Sequence, residues 1–179
     1  MMRITGGTLK GRQVNVPYGK IRPAMDKMRE SVFAILEEIA GKSFLDLFSG
    51  SGIIALEAAS RGAAYIEAVE MDHLKRKTIL QNVSISQLRI HCRFMPTELY
   101  IKRAKRPFDF IFCDPPFPYK YKAELIESII ESELVKEGSR LLLHRPKEDS
   151  FKISGEKFVL EDSREYGRSV VDFFRFFGG

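Results

Sequence analysis

Segments with the pattern of strands alternate with segments with the pattern of helices from Phe44 to Arg145, and this alternation limits the fold more than any other feature. Short apolar runs bounded by turn residues are typical of buried strands, and they predict strands at 44–48, 65–70, 89–94, 108–113 and 139–145. Longer segments with apolar residues at helical spacing predict helices at 53–61, 72–84, 97–105 and 123–133. Successive strand–helix units of this kind form a mostly parallel sheet covered by helices.

The end of the chain has a different pattern. Segments 157–162 and 169–176 flank a turn predicted at 165–167, with no helical pattern between them. Two apolar runs joined by a short turn predict an antiparallel hairpin. We therefore predict an α/β fold with a Rossmann-like sheet that carries an antiparallel hairpin at its C-terminal edge.

The predicted strand 108–113 ends abruptly, because Asp114 is followed by two prolines and Phe117. Proline has no backbone N–H, so Pro115 and Pro116 end the strand and stiffen the turn. In an open α/β sheet, ligands bind at turns of this kind, at the carboxyl ends of strands. The turn is a candidate site, although Asp-Pro-Pro could equally be a loop that only ends a core strand.

The groups in this turn suit a planar base that carries an NH2 group. The Asp114 carboxylate and the Pro115 carbonyl are both acceptors, and together they match the two N–H bonds of an exocyclic amine. The ring of Phe117 offers a stacking face. Accepting both N–H bonds favours a more pyramidal and more nucleophilic nitrogen, which is catalysis by positioning and electrostatics.

Between the first strand and the first helix of the alternating region, Gly50, Gly52 and Ala55 have the spacing of a nucleotide-binding turn. Glu70 ends the next strand, at the place where an acid binds the ribose hydroxyls of an adenosine. The alternatives are a turn that only packs helix against strand, and an acid that stabilises a helix N-terminus. Asp72 is better placed than Glu70 for that second role.

Asp46 bears on which adenosine compound this turn would bind. Its carboxylate lies inside the first strand, just before the glycines. Negative charge there is unfavourable beside a pyrophosphate and favourable beside the cationic amino group and sulfonium of S-adenosylmethionine. Asp46 therefore favours S-adenosylmethionine over a dinucleotide, unless its side chain only binds neighbouring backbone amides.

The first 41 residues precede the alternating region and are basic. Residues 1–30 hold seven basic and two acidic side chains, a net charge of +5 that equals the net charge of the whole chain. Segment 2–17 predicts one or two short strands or a hairpin, and a helix is expected to open at Arg22-Pro23, end at Gly41 and lie against the edge of the sheet. A basic segment suits a polyanionic partner, although it could also be a solvated arm. The candidate residues for binding such a polyanion are Arg3, Lys10, Arg12, Arg22 and Arg29, and they become candidate RNA-binding residues if the polyanion is RNA.

The composition is that of one domain with a small extension. Of the 179 residues, 44% are hydrophobic, without the run of about 18 apolar residues that a membrane helix needs. No apolar signal segment is expected at the start, and two cysteines, read as buried thiols, are too few for a disulfide framework. We expect a cytoplasmic, monomeric protein without membrane contact, with an extension at 1–41 and a main domain at 42–179.

No metal site is expected, because the three histidines lack ligand spacing. His73, His91 and His144 are each interpreted as a surface or strand residue.

With both turns in place, the chain resembles the RsmD family of S-adenosylmethionine-dependent methyltransferases, which modify guanine N2 in small-subunit (16S) ribosomal RNA. The resemblance covers nearly the whole chain and is carried by MRITGG, RPAMDKMRESVFAIL, FLDLFSGSGIIALEAASRGA, Glu70, FDFIFCDPPF and REYGRSVVDFFRF. DPPF occurs in many amino-methylating enzymes of DNA and RNA, whereas the N-terminal block joined to LDLFSGSG is much more specific.

The resemblance implies a class I methyltransferase fold with a seven-stranded sheet, and a substrate that is ribosomal RNA or the assembling small ribosomal subunit. It implies that a base extruded from its stack is held by Asp114, Pro115, Pro116 and Phe117. The implied cofactor-binding residues are Asp46, Phe48, Ser49, Gly50, Gly52, Glu70, Met71 and Thr97.

Two positions depart from the family pattern. Ala24 replaces a threonine that often follows Arg-Pro. Met95-Pro96 stands where an acid usually contacts adenine, so that either Thr97 or a backbone group makes this contact or the contact is missing. Two other functions also stay open. A DNA adenine-N6 methyltransferase would use the same acceptors but would normally need a target-recognition domain. A nucleic-acid-binding module with a vestigial cofactor site would not need both turns.

Overall fold

The chain folds into a seven-stranded sheet and a separate two-stranded ribbon in the computed structural model, which describes residues 1–17, 25–153 and 155–178. The strands are β1 (Met2–Arg3), β2 (Gln13–Val14), β3 (Ser43–Leu47), β4 (Tyr65–Val69), β5 (Ile90–Arg93), β6 (Phe110–Cys113), β7 (Arg140–Pro146), β8 (Phe158–Tyr166) and β9 (Ser169–Phe176). The helices are α1 (Met25–Leu36), α2 (Ile53–Ser60), α3 (Arg76–Val83), α4 (Thr97–Arg103) and α5 (Lys122–Ile130), with a 3-10 turn at His73–Lys75 before α3.

The order of the strands in the large sheet is β5-β4-β3-β6-β7-β9-β8. The first five pair in parallel, and β9 pairs antiparallel with both β7 and β8. From β3 the chain builds outward through β4 and β5, and it then returns to add β6 on the other side of β3. The carboxyl ends of β3 and β6 therefore flank the switch point of the sheet, where open α/β sheets bind ligands.

Alternating side chains of the central strands fill two cores, one on each face of the sheet. Phe44, Phe110 and Phe112 belong to a cluster with residues of α1, α2 and α3, whereas Leu45 and Ile111 belong to a cluster with residues of α4 and α5. This period of two explains why the strands read as continuous apolar runs. The thiol of Cys113 is buried as expected, but that of Cys92 is only half-buried.

Helix α1 packs across a face of the sheet and also contacts the edge strand β8, which corrects the prediction of a position against the edge alone. The ring of Phe33 stacks on Phe44 of the central strand β3 with centroids 5.8 Å apart, and the hydroxyl groups of Ser31 and Tyr166 lie 2.7 Å apart. The helix also ends earlier than predicted, because Glu37 adopts a left-handed φ of 56°. Helical periodicity cannot reveal this stop, since the buried Ile39 continues the pattern beyond it. The predicted opening at Arg22-Pro23 and the position Ala24 lie outside the described residues.

A buried ion pair ties this extension to α2. The side chain of Arg29 has 0% exposure, and its Nε donates to Glu57 Oε1 at 3.1 Å, while its Nη2 donates to the Arg3 carbonyl at 2.9 Å. Glu57 is equally buried and also accepts from the backbone N–H of Thr5 at 2.9 Å and from Arg61. Arg29 was expected to face RNA, but it is a packing residue inside the protein, because its charge is satisfied by Glu57. The division at residue 41 stays a prediction, since both parts share one core cluster.

The C-terminal hairpin is present with a turn slightly later than predicted. Strand β8 continues to Tyr166, inside the predicted turn, and β9 begins at Ser169. Gly167, with φ of 62°, supplies the left-handed residue of this tight turn.

Candidate active site

The glycine turn leaves open space at the carboxyl end of β3. Phe48, Gly50 and Gly52 have φ values of 60°, 62° and 82°, and the Ser49 N–H donates to the Val69 carbonyl of β4 at 2.8 Å. A Cβ atom at Gly50 would meet nothing within 4 Å. Gly52 caps α2, since its carbonyl accepts from Leu56 N–H at 3.0 Å. The turn thus offers a ligand an open backbone surface beside a helix N-terminus.

Glu70 follows β4 at the same edge, and its carboxylate is held by backbone groups. One oxygen accepts from Gly50 N–H at 2.8 Å and the other from Asp72 N–H at 2.9 Å, and the residue is 8% exposed. The cap of the following turn is Asp72, whose side chain accepts from Leu74 N–H at 3.0 Å. Glu70 is therefore fixed against the glycine turn, and the role of cap is taken by its neighbour.

Asp46 lies beneath the glycine turn, buried in β3. Its carboxylate accepts from Ser49 Oγ at 2.7 Å. Burial raises the pKa of Asp46 to about 7, with smaller contributions from the negative charges of Asp114 and Glu70. The charges of Asp114 and Glu70, which follow the strands on either side of β3, thus act on Asp46 at this edge.

The turn after β6 is held rigidly by its own backbone and by a lysine. Tyr119 N–H donates to the Pro116 carbonyl at 2.8 Å. The buried Lys122 ammonium donates to the carbonyls of Phe117 and Tyr119 at 3.2 and 2.8 Å and pairs with Asp149 at 2.6 Å. Pro115 is buried and Pro116 is exposed, whereas Asp114 and Phe117 are half-buried.

His144 belongs to this site, although its sequence context predicted only a surface or strand residue. The residue lies in β7 with 2% exposure, and its Nδ1 is 2.8 Å from Asp114 Oδ1. Its ring also packs against that of Phe117 in a T-shaped arrangement, with centroids 5.6 Å apart. A search for metal-ligand spacing cannot find such a residue. The available signal was register: Cys113 pairs with Leu143, so His144 follows its strand partner just as Asp114 does.

The remaining predicted cofactor residues surround the same edge of the sheet. The ring of Phe48 packs edge-on against Tyr119 at 5.7 Å, which joins the two turns. Met71 is 61% exposed beside Glu70, and Thr97 is buried at the start of α4. The side chain of Met95 packs against the apolar cluster that contains residues of α4 and α5. The contact to adenine assigned to Thr97 or a backbone group stays a prediction.

The predicted RNA-binding residues do not all share one surface. Arg3, Lys10 and Arg12 are exposed on the N-terminal ribbon, whereas Arg29 is buried, as described above. Arg22 lies outside the described residues.

Within the described ranges, no group of three or more histidine, cysteine, aspartate or glutamate side chains is arranged to hold a metal ion. The helices among residues 1–17, 25–153 and 155–178 are all too short or too polar to cross a membrane.

Comparison with known proteins places residues 2–175 within a family model described as Conserved hypothetical protein 95. The chain is 29% identical over 153 residues to the ribosomal RNA small subunit methyltransferase D of Buchnera aphidicola subsp. Acyrthosiphon pisum, covering 82% of this chain and 79% of that protein.

Solved structures share the fold. A protein of Escherichia coli described as a methyltransferase, yhhF, superposes with a TM-score of 0.88 at 24% identity, over 99% of both chains. A further methyltransferase, SMU.776, crystallised with S-adenosylhomocysteine, superposes with a TM-score of 0.70 at 18% identity, over 87% of this chain and 50% of that one. The sheet described above is therefore a methyltransferase fold.

Proposed function

Because the chain belongs to the RsmD family of ribosomal RNA small subunit methyltransferases, we propose that it transfers a methyl group from S-adenosylmethionine to the exocyclic N2 amine of a guanine in 16S ribosomal RNA. The observation that carries the proposal is the convergence of two turns at the switch point of the sheet. One turn has the open backbone of Gly50 with Glu70 bound to it, and the other presents the Asp114 carboxylate.

The first turn has the features that the cofactor requires. When bound, S-adenosylmethionine supplies a methyl group activated by a sulfonium. Glu70 is the acceptor for the ribose hydroxyls, and the glycines allow close approach of the ligand to the backbone. Burial raises the pKa of Asp46 beneath the turn to about 7, and the cationic end of the cofactor would favour the ionised form of this carboxyl group. Phe48, Ser49, Met71 and Thr97 complete the proposed cofactor-binding set.

The second turn holds the target amine. Asp114 and the Pro115 carbonyl accept its two N–H bonds, and Phe117 stacks on the extruded base. Pro116 contributes the carbonyl that closes the turn on Tyr119. This chain's residues therefore orient the amine and stabilise the positive charge that develops on its nitrogen.

Arg3, Lys10 and Arg12 are the proposed docking residues for the RNA, because they are exposed and carry much of the excess charge. We propose that the enzyme acts as a cytoplasmic monomer on ribosomal RNA or on the assembling small subunit.

The test is transfer of a labelled methyl group from S-adenosylmethionine to total RNA and, in a parallel reaction, to genomic DNA, both from a strain that lacks this gene, followed by nucleoside analysis. We expect label in N2-methylguanosine of the small-subunit RNA. Label in N6-methyladenine of DNA would favour the rival enzyme, and RNA binding without transfer would favour a binding module.

A further inference from the structure

His144 is the partner that the structure gives to the Asp114 side chain. Among the described residues, its Nδ1 makes the hydrogen bond to Asp114 Oδ1, at 2.8 Å. The Asp114 side chain is 26% exposed and that of His144 is 2% exposed, so the histidine lies behind the carboxylate, on the protein side.

The surroundings of the imidazole determine which nitrogen carries its proton. An ionised carboxylate only accepts hydrogen bonds, so Nδ1 must donate. The other ring nitrogen, Nε2, is buried and has no hydrogen-bond partner within the described part of the chain. Burial penalises an unpartnered donor and an unpartnered acceptor alike, so Nε2 does not select the tautomer. The bond to Asp114 selects it, because that bond requires a proton on Nδ1.

Asp114 needs such a donor because of its neighbours. Asp46 of β3 and Glu70 after β4 lie at the same edge, and the charge of Asp114 acts on the buried Asp46. Like charges in one site favour protonation or displacement of one of them. A fixed N–H behind Asp114 offsets this repulsion and restricts the rotation of the carboxylate.

His144 also limits the position of the stacking ring. The rings of His144 and Phe117 contact each other at an interplanar angle of 65°. One buried side chain therefore contacts both the proposed amine acceptor and the proposed stacking residue.

We propose that His144 is a positioning residue of the methyltransferase: its Nδ1–H holds Asp114 Oδ1, which fixes the orientation of the carboxylate and leaves Oδ2 to accept an N–H bond of the target amine. This role rests on the proposed function, since it acts through Asp114.

The tautomer can be measured without any assay of activity. The chain has three histidines, so the nitrogen–proton correlations of the imidazole rings can be assigned with His73→Gln and His91→Gln variants. We expect the resonances of His144 to show the proton on Nδ1 near neutral pH. A proton on Nε2 alone would overturn the proposal, whether or not the protein methylates RNA.

Single-turnover rates at saturating cofactor test the role in catalysis. Asparagine can place an N–H near the position of Nδ1, whereas phenylalanine keeps the ring and donates nothing. We expect His144→Phe to lower the rate by about 10- to 100-fold, the effect of one hydrogen bond to a charged group, and His144→Asn to recover most of that loss. Affinity for S-adenosylhomocysteine and the melting temperature serve as controls for folding.

The decisive comparison is made in the Asp114→Asn background. If His144 acts through Asp114, adding His144→Phe there should change the rate by no more than about twofold. Full additivity of the two losses would overturn the proposal, and so would equal rates for the Phe and Asn variants. Absence of methyl transfer by the wild-type protein would instead reject the proposed function and leave the tautomer measurement to decide on the hydrogen bond.

Discussion

At the scale of single residues, the site is defined by where carboxylates follow strands. Glu70 follows β4 and Asp114 follows β6, while Asp46 lies inside β3 between them. Placing three acids together is unfavourable unless each has a donor, and each has one: Ser49 for Asp46, backbone N–H groups for Glu70, and His144 for Asp114. The arrangement suits a cationic cofactor and an amine that becomes cationic.

Replacing Glu70 with alanine should weaken the binding of S-adenosylhomocysteine by about 1–3 kcal/mol, because polar groups of the ligand lose their acceptor. Isothermal titration calorimetry measures this change, and NADH should not bind to either protein. Asp72→Ala is the matched control, since that side chain faces Leu74 N–H, and it should bind like wild type. Unchanged affinity in the Glu70 variant would mean that another group binds the ribose.

Asp46 should make stability depend on pH in a specific direction. Its pKa is raised from an ordinary value near 3.8 to about 7 by burial, so the folded protein holds a proton that the unfolded chain releases. The stabilisation is complete below about pH 4 and is lost as pH rises towards 7, with a slope of at most about 1.4 kcal/mol per pH unit. Denaturant unfolding between pH 5 and 8 should therefore show a steeper fall for wild type than for Asp46→Asn. Parallel curves for the two proteins would show that Asp46 is already ionised.

At the scale of elements, the sequence predicted the types and positions of the strands and turns better than it predicted which elements pack together. The strands, the glycine turn and the Asp-Pro-Pro turn follow from apolar runs and from the backbone limits of glycine and proline, which are local properties. The face that α1 covers is not local, because periodicity shows that a helix has an apolar side but not which strand receives it. The pair of Arg29 with Glu57 and the pair of His144 with Asp114 also join distant segments, so neither could be read from spacing.

The buried pair between α1 and α2 should be essential for stability. Arg29→Met should lower the free energy of unfolding by about 3–5 kcal/mol, because it leaves Glu57 charged and buried with less compensation. The exposed Arg12→Met is the control and should change it by less than about 0.5 kcal/mol. Adding Glu57→Gln to the Arg29 variant should restore part of the loss. Urea titration gives all these values. An Arg29→Met variant with the stability of wild type would contradict the anchoring role.

At the scale of the whole molecule, the reversal of strand order at β3 and β6 explains why the two turns meet. Residues 46 and 114 are far apart in sequence, but β3 and β6 pair in parallel with Leu47 opposite Cys113. The alternation of strands and helices predicts such an edge, whereas the order of the strands depends on long-range pairing that no local pattern encodes.

The excess positive charge of the molecule should promote RNA binding through the N-terminal ribbon. Neutralising Arg3, Lys10 and Arg12 together should weaken RNA binding and reduce the slope of log affinity against log salt by about 2 to 3, since each phosphate contact contributes about 0.7 to 0.9. The matched control neutralises Lys102, Arg103 and Lys105, which are exposed at the end of α4, on the opposite face of the sheet. Fluorescence anisotropy at several salt concentrations measures both slopes. Equal slopes for the two triple variants would show that the ribbon is only a solvated surface.

The most direct test of the active centre is the single-turnover rate of methyl transfer to RNA by Asp114→Asn at saturating cofactor. Asp114 is expected to act as charge develops on the amine, so the rate should fall by about 100- to 1000-fold while affinity for the cofactor stays at the wild-type value. Phe117→Ala, measured alongside while RNA is varied, should instead weaken the RNA step by about 1–3 kcal/mol of lost stacking. A near wild-type rate for Asp114→Asn, or equal losses of cofactor affinity in both variants, would contradict the assignment of this turn to the chemistry.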